Sequence, residues 1–86
     1  MTSILRVFVR EECAGCGEAR RIAAWVKQAF PKLRVELIDV ADPHAMVPEA
    51  VFATPTYMLN SHVVSLGNPS PAQIARWAAE VGPPLG

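Results

Sequence analysis

The sequence predicts an α/β fold in which a four-stranded mixed sheet is flanked by helices, with the element order β-α-β-α-β-β-α. Three observations predict it: a β-branched strand pattern at the start, helical spacing ahead of Pro31 and after Pro71, and two short strand patterns around an Asn-Ser turn. With 86 residues, the chain has room for one domain only. We therefore assign residues 1–86 to a single domain.

The first half of the chain predicts a β-α-β unit. Ile4–Val9 is rich in β-branched and aromatic residues, which favour a strand. Residues 18–30 place their apolar side chains on one helical face, and Pro31 ends this helix because proline cannot continue it. Residues 33–40 predict a second strand that is apolar enough for burial on both faces. Because a helix joins the two strands, we expect them to be parallel.

The middle of the chain predicts a short helix followed by a hairpin. Asp42 is a suitable N-cap, and Pro43 suits the first helical position. Residues 56–60 and 62–66 predict two strands that turn tightly at residues 60–61. We expect this hairpin to extend the sheet in the antiparallel sense.

The last helix has the clearest start signal. Ser70 and Gln73 have the spacing of a capping box, and Pro71 stands at the first helical position. The expected buried stripe of this helix consists of Ile74, Trp77, Ala78 and Val81.

Composition and charge exclude several classes of protein. Eight Lys and Arg residues balance eight Asp and Glu residues, whereas a nucleic-acid-binding protein needs a basic face. A hydrophobic content of 51% argues against disorder. No apolar run approaches the ~20 residues of a membrane span, and the first residues become charged too early for a signal peptide. We expect a cytoplasmic monomer that binds neither nucleic acid nor membrane.

The main candidate for chemistry is the Cys13-Ala14-Gly15-Cys16 segment, between the first strand and the first helix. Unpaired amides at a helix N-terminus favour a thiolate and lower the pKa of a thiol there. The spacing lets the two thiols close a small disulfide, and Gly15 allows the turn. Reducing compartments do not favour structural disulfides, so the pair predicts redox chemistry or metal binding.

Zinc binding is the main chemical alternative for the cysteine pair. Cys13, Cys16, His44 and His62 are all possible zinc ligands. However, the two histidines lie 18 positions apart in the chain (62 − 44). The usual spacing within a ligand pair is about three to five residues.

A second motif is Thr54-Pro55, which leads directly into a predicted strand. Proline gives a sheet no N–H donor, so this position is unusual. A cis peptide bond would explain it and would free the Thr54 backbone to pair with an extended substrate. The residues alone leave an ordinary trans bond open, since only about 5–6% of such bonds are cis.

These motifs together resemble the thioredoxin superfamily. The resemblance rests on CxxC at the first β-α junction, Asp39 at the end of the second strand, Thr54-Pro55 before the hairpin and Gly67 after it. It runs from about residue 4 to residue 81, nearly the whole chain. The start of the chain, in which a strand leads directly to the cysteines, is more similar to the start of glutaredoxins than to that of thioredoxins. The resemblance implies a thioredoxin-like fold with a cis peptide bond before Pro55, and with Pro55 beside the cysteines.

The resemblance also implies an activity, that of a thiol–disulfide oxidoreductase. Cys13 would be the attacking thiol and Cys16 the resolving thiol. The substrate would be a disulfide-containing protein or small molecule, and a reductase or glutathione would supply electrons. No cofactor is needed for this exchange. The residues expected to contact substrate are Ala14, Gly15, Thr54, Pro55 and Gly67.

Departures from the family pattern leave other functions open. Val7 stands where thioredoxins have a buried acid, and Glu12 replaces the tryptophan that precedes their first cysteine. A fold alone does not establish a function. The alternatives are a non-catalytic thioredoxin-like adaptor and a CxxC metal-binding protein.

Overall fold

A computed structural model describes residues 3–80 of the protein, which form four strands and two helices. In chain order, the elements are β1 (Ile4–Val9), α1 (Cys16–Ala29), β2 (Arg34–Asp39), β3 (Thr56–Leu59), β4 (His62–Leu66) and α2 (Pro71–Glu80). The strand order across the sheet is β2-β1-β3-β4. β1 and β2 are parallel, and the other neighbouring pairs are antiparallel, so the predicted four-stranded mixed sheet is confirmed.

The predicted middle helix is wrong, because the segment between β2 and β3 forms turns instead. The carboxylate of Asp42 accepts a hydrogen bond from the backbone N–H of His44 at 2.9 Å, and its carbonyl accepts one from Ala45 at 3.0 Å. Such side-chain bonds stabilise a local turn in competition with a helix. Pro48 follows too soon for a helix to extend beyond that turn. Within residues 3–80 the order is therefore β-α-β-β-β-α.

The prediction that the second strand is buried on both faces is also wrong. β2 lies at an edge of the sheet, and although Val35 is buried, Leu37 is 47% exposed. The neighbouring position carries charge: Glu36 accepts a bond from the Arg6 guanidinium at 3.2 Å and pairs with Arg34 at 3.4 Å. An edge strand has a neighbour on one side only, and the helix expected to follow β2 does not form. Part of the strand therefore stays in water.

The core lies between one face of the sheet and the two helices. Alternate residues of β1 point into it, as the pleat of a strand requires. The helical side chains that meet them are Cys16, Ala19, Ala23, Val26, Ile74 and Trp77. α1 begins at Cys16, two residues earlier than predicted. Within it Ala23 is buried, whereas Ala29, its last residue, is exposed. In α2, Ile74 and Trp77 are buried as predicted, and Val81 lies outside the described residues.

The predicted hairpin turn and capping box are confirmed. Asn60 has a φ of 57°, a left-handed conformation that asparagine tolerates, and its side chain accepts a bond from the Ile4 N–H at 3.1 Å. At the start of α2, the Ser70 N–H donates to Gln73 Oε1 at 2.8 Å, and the Gln73 N–H donates to Ser70 Oγ at 3.2 Å. Neither helix within residues 3–80 has the length and apolar character to cross a membrane.

Candidate active site

The two cysteines form a disulfide at the N-terminus of α1. Their Cα atoms are 5.3 Å apart, within the range that a disulfide requires. Cys16 is the first residue of α1 and is fully buried, whereas Cys13 is half-buried in the preceding loop. A molecule that approaches the surface therefore reaches the sulfur of Cys13 before that of Cys16.

The buried sulfur of Cys16 lies against the backbone at the end of β1. The N–H of Arg10 donates to Cys16 Sγ at 3.5 Å, and the N–H of Cys16 donates to the carbonyl of Cys13 at 3.2 Å. Val7, at the position of the buried acid of thioredoxins, is completely buried. A donor that points at sulfur favours a thiolate over a thiol. The Arg10 amide is thus a source of stabilisation for Cys16 that the sequence analysis missed.

The Thr54–Pro55 peptide bond is cis, as the resemblance implied, and Pro55 lies against the CxxC loop. A Cβ atom at Gly15 would be 3.2 Å from Pro55 Cδ, a very tight contact. Gly15 has a φ of −94° and a ψ of −3°, values that residues with side chains also adopt. The turn itself therefore does not require glycine; the close approach of Pro55, which leaves little room for a side chain, favours it.

Gly67 and Asn68, the two residues that directly follow β4, connect the end of the sheet to the cis-proline turn and to the CxxC loop. Gly67 has a φ of 88°, which glycine adopts easily, and its N–H donates to the Pro55 carbonyl at 2.9 Å. The side chain of Asn68 donates from Nδ2 to the Gly15 carbonyl at 2.9 Å. Its Oδ1 accepts a hydrogen bond from the Tyr57 hydroxyl, also at 2.9 Å. These bonds hold the CxxC loop, the cis-proline and the end of the sheet together.

The structure brings most of the predicted substrate-contacting residues together. Gly15 is packed on Pro55, and Gly67 is hydrogen-bonded to Pro55. Thr54 is half-buried and precedes the cis bond, and Ala14 is exposed beside Cys13. Their contacts with a substrate remain predictions.

A polar cavity of about 210 Å³ adjoins the loop that leads to Cys13. It is lined by Arg10, Glu11, Glu12, Asp39 and Ala41. Asp39, at the end of β2, accepts a hydrogen bond from the N–H of Ala41 at 2.9 Å. Three carboxylates and one guanidinium therefore lie on this side of the site, so we expect it to disfavour an anionic group of a substrate.

The proposed zinc ligands are not assembled. In the part of the chain that the structure describes, no group of three or more His, Cys, Asp and Glu side chains lies close enough together to hold a metal ion. His44 and His62 therefore do not complete a site with Cys13 and Cys16.

Asn68 and Tyr57 are the site residues that the sequence analysis missed. The position of Asn68 in a turn between β4 and α2 suggests only a loop residue. The hydroxyl of Tyr57 donates a hydrogen bond to Asn68. This contact could not be predicted, because the sequence does not decide which face of the sheet a strand residue occupies. The one available signal was the presence of a single polar amide between Gly67 and Pro69, which is weak.

Tyr57 provides a testable consequence, since it is the only tyrosine of the chain. Burial raises the pKa of Tyr57 from 10.0 to about 12, and the negative charge of Glu18 contributes in the same direction. We expect the tyrosinate absorbance of the folded, oxidised protein to rise at this higher pH. The folded state keeps its proton when the unfolded state loses it. Stability present below pH 10 should therefore fall by roughly 2–3 kcal/mol as the pH rises to about 12.

The control for this titration is Tyr57→Phe, which should remove both the absorbance change and this part of the alkaline destabilisation. A midpoint at the ordinary pKa of tyrosine in the folded wild-type protein would contradict the burial of Tyr57.

Comparison with known proteins agrees with the family resemblance that the CxxC loop and the cis-proline turn suggest. A family model described as a thioredoxin domain matches residues 5–79, a range that includes both cysteines, Pro55 and Gly67. A search of curated proteins finds no match.

Proposed function

This chain belongs to the thioredoxin domain family, and on that premise we propose that it is a thiol–disulfide oxidoreductase that acts through Cys13 and Cys16. The observation that carries the proposal is the disulfide at the start of α1 between a half-buried cysteine, Cys13, and a fully buried one, Cys16. Its substrate is the disulfide of a protein or of a small molecule, which it reduces or exchanges.

The proposed reaction begins with the reduced protein. The thiolate of Cys13 attacks one sulfur of the substrate disulfide, which breaks the substrate S–S bond and releases one substrate thiolate. Cys16, as its thiolate, then attacks Cys13 Sγ and displaces the second substrate sulfur. Two electrons pass to the substrate, and its two sulfurs take up the two protons that the protein thiols have lost. The protein is left with the Cys13–Cys16 disulfide.

Local electrostatics support these roles. The positive end of the α1 helix dipole lies at Cys16 and favours negative charge on the nearby sulfurs. The exposure of Cys13 favours it as the attacking thiol, and the burial of Cys16 suits a thiol that reacts only within the protein. We also propose that the backbone of Thr54, beside the cis bond, pairs with an extended segment of the substrate.

The electron donor that restores the dithiol is proposed to be a protein reductase or glutathione. Glutathione is an anionic peptide, and the carboxylates of Glu11, Glu12 and Asp39 line the cavity beside the loop that leads to Cys13. We therefore favour a reductase over glutathione. A cytoplasmic location and a role in cell redox homeostasis agree with this proposal, because such a donor keeps dithiols reduced.

The experiment that tests the function is a redox titration of the cysteine pair. The protein is equilibrated with thiol–disulfide buffers, trapped with an alkylating agent and analysed by mass. We expect a reversible two-electron transition between about −120 and −300 mV. A pair that cannot be oxidised under mild conditions, or thiols masked by a co-purified metal, would reject the oxidoreductase and favour the adaptor or the metal-binding protein.

A further inference from the structure

Asn68 connects the loop between the two cysteines to a buried tyrosine of the sheet. Its Nδ2 donates to the carbonyl of Gly15, from which it is 53 residues distant in the chain, and its Oδ1 accepts from the Tyr57 hydroxyl. Each bond is 2.9 Å long. A primary amide donates and accepts at the same time, which a carboxylate or a simple apolar side chain cannot do. The chemistry of asparagine therefore matches both partners.

The Gly15 carbonyl and the Tyr57 hydroxyl are both suited to a hydrogen bond with Asn68. The Gly15 carbonyl already accepts the N–H of Ala19 at 3.0 Å, and a carbonyl oxygen has a second lone pair for another donor. Tyr57 is fully buried, and a buried hydroxyl needs a hydrogen-bond partner. Tyr57 also packs against Trp77 of α2, with ring centroids 6.2 Å apart, so it is a firm anchor.

We propose that Asn68 is a positioning residue of the redox site, which holds the CxxC loop in the conformation of its disulfide form. This inference rests on the proposed function. Gly15 lies between the two cysteines, so the bond to its carbonyl restrains the segment that the disulfide closes. Reduction adds two electrons and two protons and releases the two sulfurs from each other, so the loop is no longer confined to this conformation. Asn68 then stabilises the oxidised form more than the reduced form.

The test compares Asn68→Ala with the wild-type protein in glutathione buffers, where two glutathione thiols supply the electrons and protons and become one glutathione disulfide. A hydrogen bond of ordinary strength corresponds to about a three- to tenfold change in an equilibrium constant. We expect the constant for disulfide formation to fall by that factor, and the potential to become less negative. A tenfold change corresponds to about 30 mV for a two-electron couple.

A second measurement does not require a reversible couple. The unfolding free energies of wild type and Asn68→Ala are measured in the oxidised form and after chemical reduction with a phosphine. We expect the variant to lose more stability in the oxidised form than in the reduced form. Unfolding and reduction form a closed thermodynamic cycle, so this difference must match the change in the redox potential. In a Tyr57→Phe background the anchor is lost, so Asn68→Ala should have a smaller effect on the potential.

The matched control is Gln28→Ala, which removes an exposed amide from α1 and should change neither the potential nor the difference between the two forms. An unchanged potential, with equal loss of stability in both forms, would overturn the positioning role and leave the proposed function intact. A wild-type protein without a reversible couple would instead reject the proposed function. Equal or unequal loss of stability in the two forms would still decide the role of Asn68.

Discussion

Cys13→Ser is expected to reduce the rate of disulfide reduction to the uncatalysed level, whereas Cys16→Ser should stop the reaction after its first step. The thiolate of Cys13 is the group that forms the mixed disulfide, and a serine hydroxyl cannot replace it as a nucleophile. Without the Cys16 thiol, the mixed disulfide has no internal attacker. It should therefore accumulate as a covalent adduct between Cys13 and the substrate.

Mass analysis of the protein after incubation with a model disulfide distinguishes the two variants. The Cys16→Ser protein should carry one substrate thiol, and the Cys13→Ser protein none. Both variants lack the disulfide, so the fully reduced wild type is the control for stability. An adduct on Cys16 in Cys13→Ser, at the rate seen for Cys13, would contradict the assigned roles. The same adduct, formed with cell proteins, would identify substrates.

Phe8→Ala is expected to produce the largest loss of stability among single changes in β1. Phe8 is completely buried and, by the alternation of the strand, lies on the opposite face of the sheet from Val7 and Val9. Truncation of a buried phenylalanine costs about 3–5 kcal/mol, because apolar contacts are lost and a cavity remains. Domains of this size are stable by only about 5–15 kcal/mol, so the variant should be close to unfolding.

Urea unfolding of the oxidised protein measures this effect, and Phe52→Ala is the matched control. Phe52 is 78% exposed, so its truncation should change the free energy of unfolding by less than about 0.5 kcal/mol. Similar losses for the two variants would show that the face of the sheet that carries Phe8 is not a packed interface.

Structural features that depend on neighbouring residues could be predicted from the sequence. The capping box joins Ser70 to Gln73, and the hairpin turn depends on Asn60 and its neighbours, so these signals lie within a few residues and were interpreted correctly. The resemblance to a known family added the cis bond before Pro55, which the residues alone left undecided.

The middle segment shows how a correct local signal can lead to a wrong element. Asp42 does cap the backbone, but it caps a turn, because Pro48 leaves no room for a helix. The wrong prediction that Leu37 is buried has the same cause, because the helix expected after β2 does not form. A strand is buried on both faces only when other elements cover it, and the sequence pattern of a strand does not contain that information.

The sequence by itself determined the two cysteines and their spacing, the strand-to-helix junction that holds them, the hairpin and the capped last helix. Each of these depends on residues that are neighbours in the chain. The resemblance to a known family supplied the place of Pro55 beside the cysteines. Only the tertiary structure decided that Cys16 is buried while Cys13 is half-buried, and that Asn68 bridges Gly15 and Tyr57. These contacts join residues that are distant in the chain, and they exist only after the sheet and helices have packed together.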